Sequence, residues 1–176
     1  MIQFRFSILL IFSCLLSLHG NGQGYEIKVK INGLADKQVI LGHYLSKSMY
    51  PDDTIKLDSK GYGVFKSNSK LPSGMYVMFI RNDRYFDVII GEDQTFTLET
   101  DTVDYVNTMH IKGSPDNEIF LDFQKYMIDL RIKNDSLMPL IRKESNPKIK
   151  EQLTAKVKQL GDHRKNKIVT IQKEYP

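Results

Sequence analysis

Histidine and carboxylate side chains are the first residues to consider for chemistry, because they act as general acids and bases and bind metal ions. His43 and His110 fall in predicted strands, and His163 falls in a predicted helix. None of the three has a second His, Cys or carboxylate at the spacing of metal ligands. We therefore interpret them as structural residues.

The carboxylates come in pairs in or beside predicted turns. These pairs are Asp52 with Asp53, Asp83 with Asp87, Glu92 with Asp93, and Asp101 with Asp104. Their spacing does not match a calcium-binding loop. Two facing carboxylates could hydrolyse glycosides, but that chemistry needs a cleft and usually aromatic platforms, and the chain has no Trp. We expect these carboxylates to form turns.

The remaining catalytic patterns are missing from the sequence. Ser residues do not occur in a Gly-x-Ser-x-Gly motif, and no Gly-rich loop is placed to hold a phosphate. The single Cys, Cys14, lies in the apolar N-terminal segment. The sequence therefore predicts no catalytic residue, no cofactor and no metal site, and the chain is not expected to be an enzyme.

The best candidate for a binding site is a polar loop between two predicted strands. Arg81, Asp83, Arg84 and Tyr85 bring together two cations, an acid and an aromatic ring. The alternative interpretation is a solvated hairpin tip, since polar residues often cluster in turns.

The elements that would position this loop are short strands. Tyr25 to Ile31 alternates apolar and polar residues, as a strand with one buried face does. No helix separates the predicted strands, which favours an antiparallel β-sandwich of seven or eight strands over residues 23–113. The other strands are predicted at 37–45, 54–57, 62–66, 74–80, 85–90, 95–99 and 106–111, with 54–57 and 62–66 paired as a hairpin. The aromatic residues predicted to fill the core are Tyr62, Phe65, Tyr76, Phe79, Tyr85, Phe86 and Phe96.

Residues 114–176 have a helical pattern, so the fold class is mainly β with C-terminal α. Ser114 and Pro115 suit a helix start, and that helix is expected to end near Asn134 or Pro139. A second helix is predicted to start at Asn146. Both are amphipathic, so we expect a long two-helix segment.

The N-terminus has the pattern of a secretory signal peptide. Arg5 precedes an apolar run from Phe6 to Leu18, and small or polar residues follow. Cleavage after Gly22 would make residues 1–22 the signal peptide and place the protein in the periplasm or cell envelope. The alternatives are a retained anchor and a lipoprotein cleaved before Cys14, but bulky Phe12 fits poorly before a lipidated Cys.

Basic charge is concentrated in the helical segment. Residues 118–176 carry 13 Lys and Arg against 8 Asp and Glu. The basic residues alternate with acids, as on a solvated helix face, and an exported protein rarely meets nucleic acid. We therefore expect no nucleic-acid partner, and no transmembrane span after signal cleavage.

The order of these elements resembles the domain of unknown function 4369, an N-terminal β-domain of exported TlpA/ResA-type thioredoxin-like proteins. The resemblance covers about Tyr25 to Asn117. It rests on Asn32-Gly33-Leu34, the stretch from Asp53 to Phe65, Leu71 to Tyr76, Val88 to Asp93, and Ile111 to Asn117.

The resemblance implies an accessory region beside a redox domain. The Cys-x-x-Cys of that domain is absent from these residues. The expected function is therefore an exported, non-catalytic accessory domain that interacts with an envelope thioredoxin-like protein, in cis or as a separate partner. The alternative is a stand-alone envelope module that binds a peptide or a glycan.

Overall fold

The computed structural model describes residues 24–46, 48–80 and 84–175. The predicted signal peptide, including Cys14, lies outside these ranges, as do Arg81 and Asp83. Two four-stranded sheets form a sandwich, and two helices follow. The strands are β1 (Tyr25–Asn32), β2 (Gln38–Leu45), β3 (Ser48–Lys56), β4 (Tyr62–Ser67), β5 (Gly74–Ile80), β6 (Arg84–Ile90), β7 (Thr95–Asp101) and β8 (His110–Lys112), and the helices are α1 (Pro115–Lys143) and α2 (Pro147–Glu174).

The first sheet has the strand order β4-β1-β7-β8, and the second has the order β3-β2-β5-β6. The prediction of a mainly β fold with C-terminal helices is confirmed. All pairs are antiparallel except β1 with β7, which run parallel. The core lies between the sheets and contains the alternating side chains of β1, which are fully or almost fully buried.

The predicted hairpin of 54–57 with 62–66 is wrong. β3 begins earlier, at Ser48, and pairs with β2, whereas β4 pairs with β1 in the other sheet. The Asp58 turn therefore carries the chain between sheets. Asp58 Oδ1 accepts hydrogen bonds from the backbone N–H groups of Lys60 and Tyr62, and Leu57 just before it is buried between the layers. The same turn chemistry serves a crossover as well as a hairpin.

Two further boundaries differ from the prediction. The strand expected at 106–111 is shorter, because Asp101 and Asp104 accept backbone N–H bonds and hold the preceding residues in turns. Helix α1 continues through Pro139 to Lys143. Pro139 and Asp135 are both exposed, so water can bond the carbonyl that the proline leaves unpaired.

Two amide side chains attach loops and helices to the sandwich. Asn117 of α1 accepts from the N–H of Ile89 at 2.7 Å and donates to its carbonyl at 2.6 Å. Gln94 makes the same two-way contact with Leu71, with both bonds at 2.9 Å. Asn117 takes the place of a neighbouring strand at the edge strand β6, and Gln94 joins two loops; each amide satisfies backbone groups that would otherwise lack partners.

Candidate functional site

The outer faces of the two sheets differ in chemistry. On the first sheet the outward residues are largely charged or polar and pair across the strands. Lys30 contacts Glu99 at 2.7 Å, and Lys66 contacts Glu26. This is the usual surface of a sheet that faces water.

The outward side of the second sheet is mostly apolar. We call it the apolar outer face and define it by Ile40, Tyr44, Met75, Val77, Phe79, Tyr85, Asp87 and Ile89. Successive side chains of a strand point to opposite faces of the sheet. The residues of the apolar outer face therefore point away from the core, since the core contains their strand neighbours Leu41, Tyr76, Met78, Phe86 and Val88. Asp87 is the only charged member.

The strand register arranges this face in rows. Ile40 pairs with Phe79, which pairs with Tyr85. In the next row Gly42 pairs with Val77, which pairs with Asp87. Val77 is fully shielded from solvent although it points outwards, whereas Tyr44 and Tyr85 are about half exposed, at 48% and 53%. The face thus combines a buried centre with accessible aromatic residues.

The helices cover one end of the apolar outer face. Ile89 lies beneath a cavity of about 190 Å³ whose other walls come from both helices. The lining residues are Ile89, Asp116, Ile119, Phe120, Phe123, Ile171 and Tyr175. The helical hairpin therefore forms a wall beside the uncovered part of the sheet.

Asp87 is partly buried within this apolar surface. Burial raises the pKa of its carboxyl. Across the described ranges, no hydrogen-bond donor lies against this carboxylate, and no cation contacts it. Burial raises the pKa of the Tyr44 phenol, and the nearby charge of Asp87 raises it further.

A second group of polar residues lies where β1 begins. His43 Nδ1 and Asp52 Oδ2 are 2.7 Å apart, and the His43 ring stacks on Tyr50 with centroids 5.9 Å apart. The Tyr25 hydroxyl donates to Asp53 Oδ2 at 2.8 Å. The expectation that Asp52 and Asp53 form a turn is wrong, because both residues lie within strand β3.

This polar group is held by interactions within the fold. Each carboxylate contacts a group of the chain itself, so the arrangement ties β3 to β1 and β2. No cluster of three or more His, Cys, Asp or Glu able to hold a metal ion occurs within the described ranges. We assign the polar group a structural role.

Tyr25 gives this role a measurable pH dependence. Burial, followed by the hydrogen bond to Asp53, raises the pKa of Tyr25 to about 12. Because the folded pKa exceeds that of a free tyrosine, the stability linked to this proton is present below about pH 10 and is lost as the pH rises towards about 12. We expect Tyr25→Phe to lower the free energy of unfolding by about 1 kcal/mol at neutral pH.

The two proteins should then converge in stability above about pH 10, since only the wild type has this proton to lose. Denaturant unfolding curves recorded at neutral and alkaline pH measure the difference. A gap that stays constant across this range would contradict the assignment.

The structure describes two of the four residues of the predicted binding loop, Arg84 and Tyr85. Arg81 and Asp83 lie outside the described residues. Arg84 and Tyr85 are adjacent in β6 and exposed, so they point to opposite sides of the sheet. Tyr85 belongs to the apolar outer face. Arg84 pairs with inward-facing Ile80 and approaches the carbonyl of Thr102 at 3.5 Å.

The assignment of all strand aromatics to the core is also wrong. Phe65, Tyr76, Phe86 and Phe96 are buried there, but Phe79 and Tyr85 lie on the apolar outer face. Tyr62 lies on the outer face of the first sheet and is 39% exposed. The signal that could have found this surface is the unbroken apolar run of β5, which contrasts with the strict alternation of β1.

None of the helices within the described part of the chain has the length and apolar character needed to cross a membrane. No curated protein matches the sequence. The family model described as a domain of unknown function (DUF4369) matches residues 25–120, which span the whole sandwich and the start of α1. The chain therefore belongs to the DUF4369 family.

Proposed function

We propose that this chain is an exported, non-catalytic domain that docks a thioredoxin-like protein of the cell envelope on its apolar outer face. The observation that carries the docking function is the contrast between the two outer faces. Both sheets have the same number of strands, yet one bears paired charges and the other bears aromatic and aliphatic residues. Contiguous apolar surface on a folded protein usually marks a contact with another molecule.

The thioredoxin-like partner and the export of the chain are supported by the sequence. The order of motifs resembles accessory domains of exported thioredoxin-like proteins, and Arg5 with the apolar run after it has the form of a signal peptide. The sole Cys lies inside that segment. Cleavage after Gly22 would leave no Cys in residues 23–176, so thiol–disulfide exchange would belong to the partner.

Binding between two purified proteins tests the docking function. The probe is a TlpA/ResA-type thioredoxin-like domain from the same organism, titrated into the chain by calorimetry. We expect saturable binding, and we expect the chain by itself to leave insulin disulfides unreduced. Absence of binding would overturn the docking proposal, and insulin reduction by the chain alone would overturn its non-catalytic character.

Recovery of the protein from fractionated cells tests its export. We expect it in the periplasmic or envelope fraction, with a mature N-terminus at Gln23. A cytoplasmic protein that keeps Met1 would contradict this part of the proposal.

A second candidate is a stand-alone envelope module that binds a glycan. It is favoured by the half-exposed Tyr44 and Tyr85, because aromatic rings can stack on sugars. Saturable binding of an envelope oligosaccharide, together with no binding of the thioredoxin-like domain, would support this function.

A further inference from the structure

We propose that Asp87 recognises a Lys or Arg side chain, set among apolar residues, on the protein segment that covers the apolar outer face. This inference rests on the docking function proposed above and adds the chemistry of the partner. Its basis is the position of one partly buried carboxylate in an otherwise uncharged part of the surface.

The surroundings of Asp87 are unfavourable for a lone charge. Val77 beside it is fully buried, and Gly42 in the same row contributes no side chain that could donate a hydrogen bond. Within the residues described by the structure, no donor or cation pairs with the carboxylate. An unpaired charge near apolar groups costs free energy, so Asp87 destabilises the uncovered fold.

Docking increases this cost unless the partner compensates for it. An apolar partner would remove the remaining water from Asp87 and leave a buried, unpaired carboxylate. A partner with a cation at the matching position would replace that water with an ion pair. The charge of Asp87 therefore selects against uncharged and acidic partners and favours a basic one.

The two accessible tyrosines strengthen the preference for a cation. Tyr44 and Tyr85 lie close to Asp87 on the same face, and both rings are about half exposed. The face of an aromatic ring attracts Lys and Arg. A cationic side chain next to Asp87 can therefore contact a carboxylate and an aromatic surface together, while apolar neighbours of the cation pack on Phe79 and Met75.

Other occupants fit this surface less well. A two-fold contact between copies of the chain centred here would bring two Asp87 carboxylates together, and like charges across an interface are unfavourable. A free metal ion would have only one carboxylate, although calcium takes six or more oxygen ligands. A basic protein segment satisfies both the charge and the apolar area.

Short blocked peptides provide the test. One peptide has a single Lys between Leu residues, and its partners replace that Lys with norleucine or Glu. Binding to the full chain is followed by the amide signals of residues 77 and 87 in NMR titrations. We expect the Lys peptide to bind about tenfold more tightly than the norleucine peptide, with the Glu peptide weakest.

The matched variants are Asp87→Asn and Glu99→Gln. Glu99 is an outward carboxylate of the first sheet that Lys30 already neutralises. We expect Asp87→Asn to abolish the preference for Lys and to raise the denaturation midpoint of the free chain. Glu99→Gln should leave the preference unchanged. If Asp87 had only a structural role, its replacement would not raise the stability of the chain and remove the preference for the Lys peptide at the same time.

Each other outcome has a defined meaning. Equal binding of the Lys and norleucine peptides would overturn the inference while the docking function stands. Failure of every peptide to bind would also overturn it, and docking would then depend on the thioredoxin-like domain alone. A dimer in sedimentation that Asp87→Asn strengthens would overturn it in favour of a second copy.

Discussion

Replacing Asn117 with alanine is expected to lower the free energy of unfolding by about 2–4 kcal/mol. Asn117 is only 1% exposed and bonds both backbone groups of Ile89, and its amide also donates to Ser114 Oγ at 2.9 Å. Alanine would leave the N–H and the carbonyl of Ile89 without partners at the junction of β6 and α1. Unsatisfied buried polar groups cost more than a hydrogen bond contributes on average.

Asn134 on the same helix is the matched control. It faces the groove between the two helices and makes no side-chain hydrogen bond within the described residues. We expect Asn134→Ala to change stability by less than about 0.5 kcal/mol, because alanine is the better helix former. Equal denaturation midpoints for the two variants would show that Asn117 does not hold the helix to the sheet.

Removing Tyr44 and Tyr85 together is expected to weaken binding of the thioredoxin-like domain by about 100-fold or more. Tyrosines at the centre of an interface often contribute most of its affinity, and the loss of each costs about 2 kcal/mol. Both rings are about half exposed in the free chain, so alanine should leave the fold largely intact. Calorimetry measures the affinity, and circular dichroism checks the fold.

Tyr62→Ala is the control for this pair. Tyr62 is also a strand tyrosine and is 39% exposed, but it lies on the outer face of the first sheet. We expect its replacement to leave the affinity unchanged within about twofold. If it weakens binding as much as the double variant, the partner docks on the first sheet and the assignment of the apolar outer face is wrong.

The two exposed tyrosines, Tyr44 and Tyr85, occupy strand positions whose burial does not follow from alternation. An aromatic residue at strand spacing fits a core position and an outward position equally well, because alternation assigns residues to two faces without saying what covers each face. The sequence predicts Tyr85 both as a loop ligand and as a core residue, whereas the structure places it on the exposed outer face of β6. The sequence predicts Asp87 within a strand and assigns its carboxylate only to turn chemistry, whereas the structure places that carboxylate in the middle of the apolar outer face.

Asn117 shows a different limit. The motif from Ile111 to Asn117 contains a proline that indicates a helix start. The contact of Asn117 with Ile89 spans 28 positions of the chain. A local sequence pattern does not predict such a contact. The same sequence at a helix start allows the side chain to point towards the sheet or towards solvent.

Most strands, both helix starts and the mainly β class with C-terminal helices can be predicted from local sequence patterns. Those features follow from local physics, since alternation, turn residues and helix caps act over a few positions. Three features are visible only in the folded chain. β3 pairs with β2, β1 and β7 run parallel, and the apolar outer face of the second sheet is covered by the helices only at one end. These features depend on which distant segments bury each other's surfaces. The free energy of the whole fold determines that pairing, and no local pattern contains it.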